Sequence, residues 1–320
     1  MGVLAFDFRD ALRSFRRDKA YAVTVILTLA LTIGATTAVF SIVNGVLLKP
    51  LAYRESHRLV SLREIWKEFA DRAPTLEVNE HHFNYWREHA TSFDALAQYI
   101  VRSANLTGRG EAAQIAVAHS SGTLFDVLQT PAALGRTLTT QDDPEGTPNV
   151  AAISDAFWRE RLAADPRIIG QAITLDGTAY TVVGVLPPGF QLPDSLAHGE
   201  VVDAFIPLRV NVGWVGDHND QGIGRLRAGI TPDQARAELD VLQAQVSKLA
   251  TDEAHEPVTL SSAVRPLTEQ VIGTARRGLL LLLAAIVAVL LIACSNLANL
   301  SLTRTLGRLR EAAIRSARCG

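Results

Sequence analysis

GLLLLLAAIVAVLLIACSNLANLSLT, residues 278–303, carries no charged side chain. A second uncharged window, AYAVTVILTLALTIGATTAVFSIVNGVLL, fills residues 20–48. Each exceeds the ~20 apolar residues that a membrane-spanning helix needs. Read as spans, they cut the chain into three charged pieces and leave a long middle, 49–277, between two anchors. The expected class is α+β: a long transmembrane helix, a mixed α/β outer domain of two lobes, a second transmembrane helix and a short amphipathic helix.

Charge orients this arrangement. The 320 residues hold 31 basic and 33 acidic side chains, a net −2. Residues 1–19 have five basic and three acidic, and residues 304–320 have five and one, so 49–277 is left with 21 basic and 29 acidic. The short ends are +2 and +4 and the middle is −8. Lysine and arginine in short flanking segments stay in the cytoplasm, whereas long domains translocate largely regardless of charge. Both termini are therefore expected in the cytoplasm and 49–277 outside it. The first window is too long for a cleaved signal core and lacks a fitting A-x-A site. The two cysteines, Cys294 and Cys319, lie outside 49–277, so the outer domain has no disulfide.

Residues 1–19 read as an interfacial amphipathic helix, with Leu4, Phe8, Leu12 and Phe15 on one face and arginines mostly off it. As a helix the first window would reach ~43 Å, against ~30 Å of hydrocarbon, so it must tilt or project. Thr24, Thr28, Thr32 and Thr36 recur every four residues, as do Ala30, Gly34 and Ala38. Such small stripes let helices approach closely in lipid, although threonine also bonds back to its own helix. In the second window Asn296 and Asn299 share a side: they either meet a partner helix or sit hydrated at the interface.

Within the outer domain, Arg58–Glu64 reads as a strand and Asn79–Ala90 as a helix with Phe83 and Trp86 inward. A strand over Asn149–Ile153 meets Ser154 as N-cap of a helix carrying Phe157, Trp158 and Leu162. Alternating residues around Asp176-Gly177 predict a hairpin. Ile223–Leu226 reads as a strand. Thr231, Pro232 and Gln234 predict a capping box opening a helix with Ala235, Leu239, Leu242, Val246 and Leu249 inward.

Catalytic constellations are missing. The sequence has no Walker loop, no G-x-S-x-G and no H-E-x-x-H. Gly222-Ile223-Gly224 lacks the third glycine of a dinucleotide loop. His81, His82 and His89 read as surface histidines rather than metal ligands. No enzyme activity, cofactor, metal or nucleic-acid partner is expected.

Several stretches together resemble a known family. LTLALTIGATTAVFSIVNGVLLKPLAY (27–53) is similar to the first span of MacB-like, FtsX-type permeases of ATP-binding cassette systems, especially their acidobacterial duplicated subgroup. FWRERLAADPRIIGQAITLDGTAYTVVGVLPPGF (157–190), GRLRAGITPDQARAELDVL (224–242) and LLIACSNLANLSLTR (290–304) look like the same family's periplasmic core and second span. The resemblance implies a cytoplasmic amphipathic segment 1–19, a first span 20–48, a MacB-like periplasmic core 49–277, a second span 278–303 and the start of a coupling helix at 304–320. It implies a permease that couples ATP hydrolysis on a separate cytoplasmic ABC ATPase subunit to periplasmic movement (mechanotransmission), in export or efflux. Further implied partners are a second permease copy or duplicated half, membrane lipids and a periplasmic adaptor. Arg310, Glu311 and Arg315 match the family's ATPase-docking pattern; Thr28, Thr32, Thr36, Gly34, Asn296 and Asn299 would pack helices. The family's third and fourth spans have no counterpart, so the chain is expected to be an N-terminal part. A two-span periplasmic sensor, or an FtsX-like regulator of a cell-wall hydrolase, shares this topology.

Overall fold

The computed structural model describes residues 19–43, 51–108, 112–198, 201–209 and 217–318. Its helices are α1 (Lys19–Val43), α2 (Glu80–His89), α3 (Leu124–Leu128), α4 (Asp155–Arg161), α5 (Pro193–His198), α6 (Pro232–Ala254) and α7 (Leu267–Arg318). Its strands are β1 (Leu59–Trp66), β2 (Val78–Asn79), β3 (Phe93–Thr107), β4 (Ala113–Ser120), β5 (Leu134–Gly135), β6 (Val150–Ile153), β7 (Ala172–Leu175), β8 (Thr178–Val185), β9 (Ala204–Pro207), β10 (His218–Leu226) and β11 (Leu260–Pro266). The chain divides into two compact units, Pro50–Gly273 and a second made of Met1–Lys49 with Thr274–Gly320.

In the Pro50–Gly273 unit local chemistry forms the elements where it was expected. Asp176 and Gly177 both have positive φ, 47° and 80°, which is the two-residue turn an Asp-Gly pair supports, and β7 and β8 pair antiparallel around it. Ser154 accepts the Phe157 amide and caps α4. Asn79 accepts the amides of His81 and His82 and caps α2. Thr231 and Gln234 close a capping box, with Pro232 at the start of α6.

Among the described residues the strands join in one sheet. Its order is β11-β1-β10-β3-β4-β9-β6-β8-β5, with β2 on β10 and β7 bridging β3 and β8. Most pairs are antiparallel; β4–β9 and β6–β8 are parallel. The expected two lobes are not separated by a break in this sheet. The 15-residue β3 pairs through Phe93–Tyr99 with β10 and through Tyr99–Leu106 with β4. One strand thus belongs to both halves.

Hydrophobic cores stand on either side of it. On one half, Val60, Leu62, Phe93, Leu96 and Val264 are covered by Phe83 and Trp86 of α2 and by Ala235 and Leu239 of α6. On the other, Phe157 and Leu162 pack over Ala151, Ile153, Ile173, Val182 and Ile206. The inward stripe of α6 departs from its expectation at one end. Leu249 is 52% exposed and Ala250 takes the buried place after Val246. A helix of 3.6 residues per turn drifts off a seven-residue repeat, so the last inward position shifts to a four-residue step. Gly222 and Gly224 lie within β10, where an added Cβ would come within 2.9 Å of Val78 Cγ1 and 2.8 Å of Leu96 Cδ2. Their role is to admit those neighbouring side chains.

In the other unit, α1 has 25 residues; the 52-residue α7 begins at Leu267 within the sheet domain and belongs to this unit from Thr274 on. Among the described residues no helix is long and apolar enough to cross a membrane. The uncharged windows 20–48 and 278–303 both include residues whose side chains lie outside the described set. The expected interfacial helix over 1–19 lies outside it as well, apart from Lys19.

Candidate functional site

Two segments connect the sheet domain to the rest of the chain, and both are fastened to its core. The inbound segment, Leu51–Arg58, precedes β1. Tyr53 is buried and its hydroxyl donates to the Gln191 carbonyl at 2.6 Å; burial pushes the phenol above its ordinary range. Arg225 of β10, 1% exposed, donates through Nε to the Val127 carbonyl at 2.8 Å and through Nη2 to the Arg54 carbonyl at 2.8 Å. Its Nη1 reaches the Glu55 carbonyl at 3.4 Å. Arg58 donates to the Leu226 carbonyl, bonds Glu55 at 2.8 Å and pairs with Asp94. The outbound segment begins where β11 stops at Pro266. Leu267, the first residue of α7, is fully buried in the same cluster as Tyr53, Leu59 and Ile223. Inbound and outbound segments therefore enter one hydrophobic core, through Tyr53 and Leu267.

Sequence reasoning missed this clamp, because a buried arginine serving backbone carbonyls leaves no motif. One signal was present: Arg225 follows Gly222-Ile223-Gly224 and precedes Leu226 at the apolar end of β10, where an unpaired charge would be costly.

The site residues expected on the helices fall in the other unit. Thr32 Oγ1 donates to the Thr28 carbonyl at 2.6 Å and Thr36 Oγ1 to the Thr32 carbonyl at 2.7 Å. These are the back-bonds that compete with an interhelical role for the threonine stripe. Thr28, Thr32 and Thr36 are partly exposed and Gly34 is exposed, with nothing within 4 Å of where a Cβ would stand. Asn296 and Asn299 are exposed on α7. Apolar side chains on the same two helices are bare too: Leu31 is 79% exposed and Leu281 73%. Arg310, Glu311 and Arg315 lie in the helical span of α7, but their side chains are outside the described residues.

A second constellation sits beneath α2. Glu64 follows Val60 and Leu62 on the covered face of β1 and has no exposed surface. Its Oε2 lies 2.8 Å from His82 Nδ1 and 3.0 Å from His218 Nε2, and its Oε1 accepts the Asn79 amide at 3.3 Å. The two imidazoles meet edge to face at 5.7 Å. Burial opposes the charge on Glu64, yet the two histidines hold its pKa below the ordinary carboxylate range. Nearby, burial and the charges of Asp220 and Asp217 push Glu80 up to about 7. The expectation of surface histidines is corrected here. His81 and His89 are exposed, but His82 is buried, because as the third residue of α2 it points back at β1. The available clue was Glu64 itself, a carboxylate in register with Val60 and Leu62.

A family profile described as the MacB-like periplasmic core domain matches residues 22–242, more than half of the chain. The chain belongs to this MacB-like family. Its match begins within α1 and ends within α6. No curated protein matches. Solved structures to which this chain is similar include a domain assigned to a permease of Porphyromonas gingivalis, 13% identical, with TM-score 0.48 over 67% of this chain and 91% of that one. Another is the periplasmic region of MacB from Actinobacillus actinomycetemcomitans, 10% identical, TM-score 0.47, covering 69% and 94%. A third is the extracellular domain of YknZ, described as a noncanonic ABC-type transporter of Gram-positive bacteria, 14% identical, TM-score 0.44, covering 64% and 99%. The family match takes in β1 to β10 of the sheet domain and leaves β11 beyond its end.

Proposed function

We propose that this MacB-like chain is the permease subunit, or part of one, of a bacterial ABC-type system in the inner membrane. Residues 20–48 and 278–303 span the membrane, both termini lie in the cytoplasm, and the sheet domain is periplasmic. ATP is hydrolysed on a separate cytoplasmic subunit that Arg310, Glu311 and Arg315 contact. The work is transmission of movement, in export or efflux, with a second permease copy or duplicated half and a periplasmic adaptor as further partners. The duplicated subgroup named by the sequence resemblance is part of this reading.

One observation supports it above the rest. The inbound segment is held by Arg225, and both segments enter the same hydrophobic core through Tyr53 and Leu267. A displacement reaching Leu51–Arg58 or Leu267 is delivered to the core beneath β10 and β1. The bare apolar side chains of α1 and α7 suit a lipid surround. Four-residue spacing of small side chains on α1 suits a helix partner.

The test is charge reversal at the coupling segment. Glu311→Arg in the complete permease should weaken copurification with the ATPase at least tenfold, which is about 1.4 kcal/mol. Membrane insertion should be untouched. If the variant instead binds anionic vesicles more tightly while ATPase recovery does not change, the segment is a lipid-surface helix and the coupling assignment fails.

A further inference from the structure

We propose that Glu64, His82 and His218 form a binding site for one divalent transition-metal ion, zinc by its donor set, which ties β1, α2 and β10 together. Among the described residues these side chains are the group whose ligand atoms, Glu64 Oε2, His82 Nδ1 and His218 Nε2, all lie within 4.8 Å of one another. They come from positions far apart in the chain, and each is held by its own element.

The spacing suits an ion with a small adjustment. Adjacent donors around a tetrahedral zinc, with bonds of ~2.0–2.1 Å, stand about 3.3 Å apart. The carboxylate oxygen now lies 2.8 Å and 3.0 Å from the two ring nitrogens. Opening each contact by a few tenths of an ångström, and bringing the two ring nitrogens, which lie within 4.8 Å of each other, to about the same ~3.3 Å separation, admits the ion. Two imidazoles with one carboxylate select zinc and its neighbours over magnesium or calcium, which prefer all-oxygen shells.

A supporting shell is already in place. Glu64 is fixed by backbone hydrogen bonds with Leu76 at 3.0 Å and 2.7 Å. Its second oxygen takes the Asn79 amide, which leaves Oε2 for the site. Asn79 also caps α2, which positions His82, and pairs with His218 across β2 and β10. Outer partners of this kind orient metal ligands. Coordination through His82 Nδ1 and His218 Nε2 places the remaining N–H on the opposite ring atom of each. The surroundings favour a cation: Glu80 precedes His82 by two residues, and Asp217 and Asp220 bracket His218. With the three ligand side chains 0%, 6% and 4% exposed, the ion would clamp strand, helix and strand together and leave its fourth position to a water.

The experiment uses the full chain, purified in detergent without a histidine tag, stripped with chelator and then titrated with zinc. The expected result is one tightly held zinc per chain, a rise in melting temperature on reloading, and an X-ray absorption shell of nitrogen and oxygen at ~2.0–2.1 Å without sulfur. Glu64→Gln and His218→Gln should each weaken binding at least tenfold, while joint replacement of the exposed His81 and His89 by alanine leaves it unchanged. No zinc retained by the reloaded wild type overturns the proposal. So does a sulfur shell, which would place the ion on Cys294 or Cys319, and so does an affinity unmoved in both ligand variants. If those variants do not fold, the wild-type absorption shell decides.

Discussion

Arg225 on β10 donates to the backbone carbonyl of Arg54 at 2.8 Å, across 171 residues of chain. With its other nitrogens on the Val127 and Glu55 carbonyls, one guanidinium serves three backbone acceptors, of which the Glu55 carbonyl also takes the Arg58 amide at 2.9 Å. Arg225→Lys keeps the charge but not the fork. It should lower the domain's stability by about 1–3 kcal/mol, read as a shifted midpoint in urea. Arg54→Ala retains the carbonyl and should leave the midpoint in place. Equal losses in both variants would show that the side chain of residue 54, not its backbone, is what matters.

Asp142 supplies a pH dependence. Its carboxylate takes Arg136 Nη1 and Nη2 at 2.7 Å and 2.8 Å, together with the Thr139 amide at 2.9 Å. Burial opposes its charge, but Arg136 and Thr139 outweigh burial and hold its pKa below the ordinary value. A carboxylate depressed in the folded state contributes stability that is present above its unfolded pKa, ~3.9, and is lost as pH falls through the folded value. Asp142→Asn should therefore cost about 1 kcal/mol near neutrality, since Arg136 is half exposed, and should flatten the decline in stability below pH ~4. A variant as acid-sensitive as the wild type would assign that decline to other carboxylates.

Gly184 on β8 has no room for a side chain. A Cβ there would lie 1.9 Å from the carbonyl oxygen of Arg136, a backbone atom that cannot swing away. Gly184→Ala should loosen the pairing of β5 with β8 and cost about 3 kcal/mol. Gly170 offers a contrast. It has a φ of +84° but nothing within 4 Å, so Gly170→Ala should cost only the backbone strain, about 1–2 kcal/mol. Thermal melts that rank the two variants the other way would contradict the close approach at Gly184.

What the sequence disclosed follows the range of the forces. Asp176-Gly177, Ser154 and Thr231–Gln234 act within four residues, so their turn and caps were legible. Apolar positions on α2 were legible for the same reason, since Phe83 and Trp86 repeat at helical spacing. Leu249 was misplaced because the inward stripe of α6 drifts along its length. The clamp at Arg225 and the Glu64–His82–His218 group were not legible as sites. Their members lie 18 to 171 residues apart, and only sheet register brings them together. The pairing of β10 between β1 and β3 skips most of the domain in sequence, and no local pattern announces it. The coupling residues Arg310, Glu311 and Arg315 were named through family resemblance, and their side chains lie outside the described structure.

The last prediction concerns cooperativity. A domain of two lobes joined by a linker would unfold in two steps, whereas β3 here pairs with β10 over its first half and with β4 over its second. Unfolding either half leaves the other with an unpaired edge along the same strand, which is unfavourable for buried backbone groups. The excised segment Leu51–Gly273 is long enough to bury a sizeable core, and neither cysteine falls within it. It should be soluble without a reducing agent and unfold in one transition. Hydrogen exchange is the discriminating measurement. Amides of β1 and β10 on one side, and of β6 and β8 on the other, should share the same global opening free energy. If the β6–β8 amides exchange at a distinctly lower denaturant concentration than those of β1 and β10, the halves are separate folding units and β3 does not couple them.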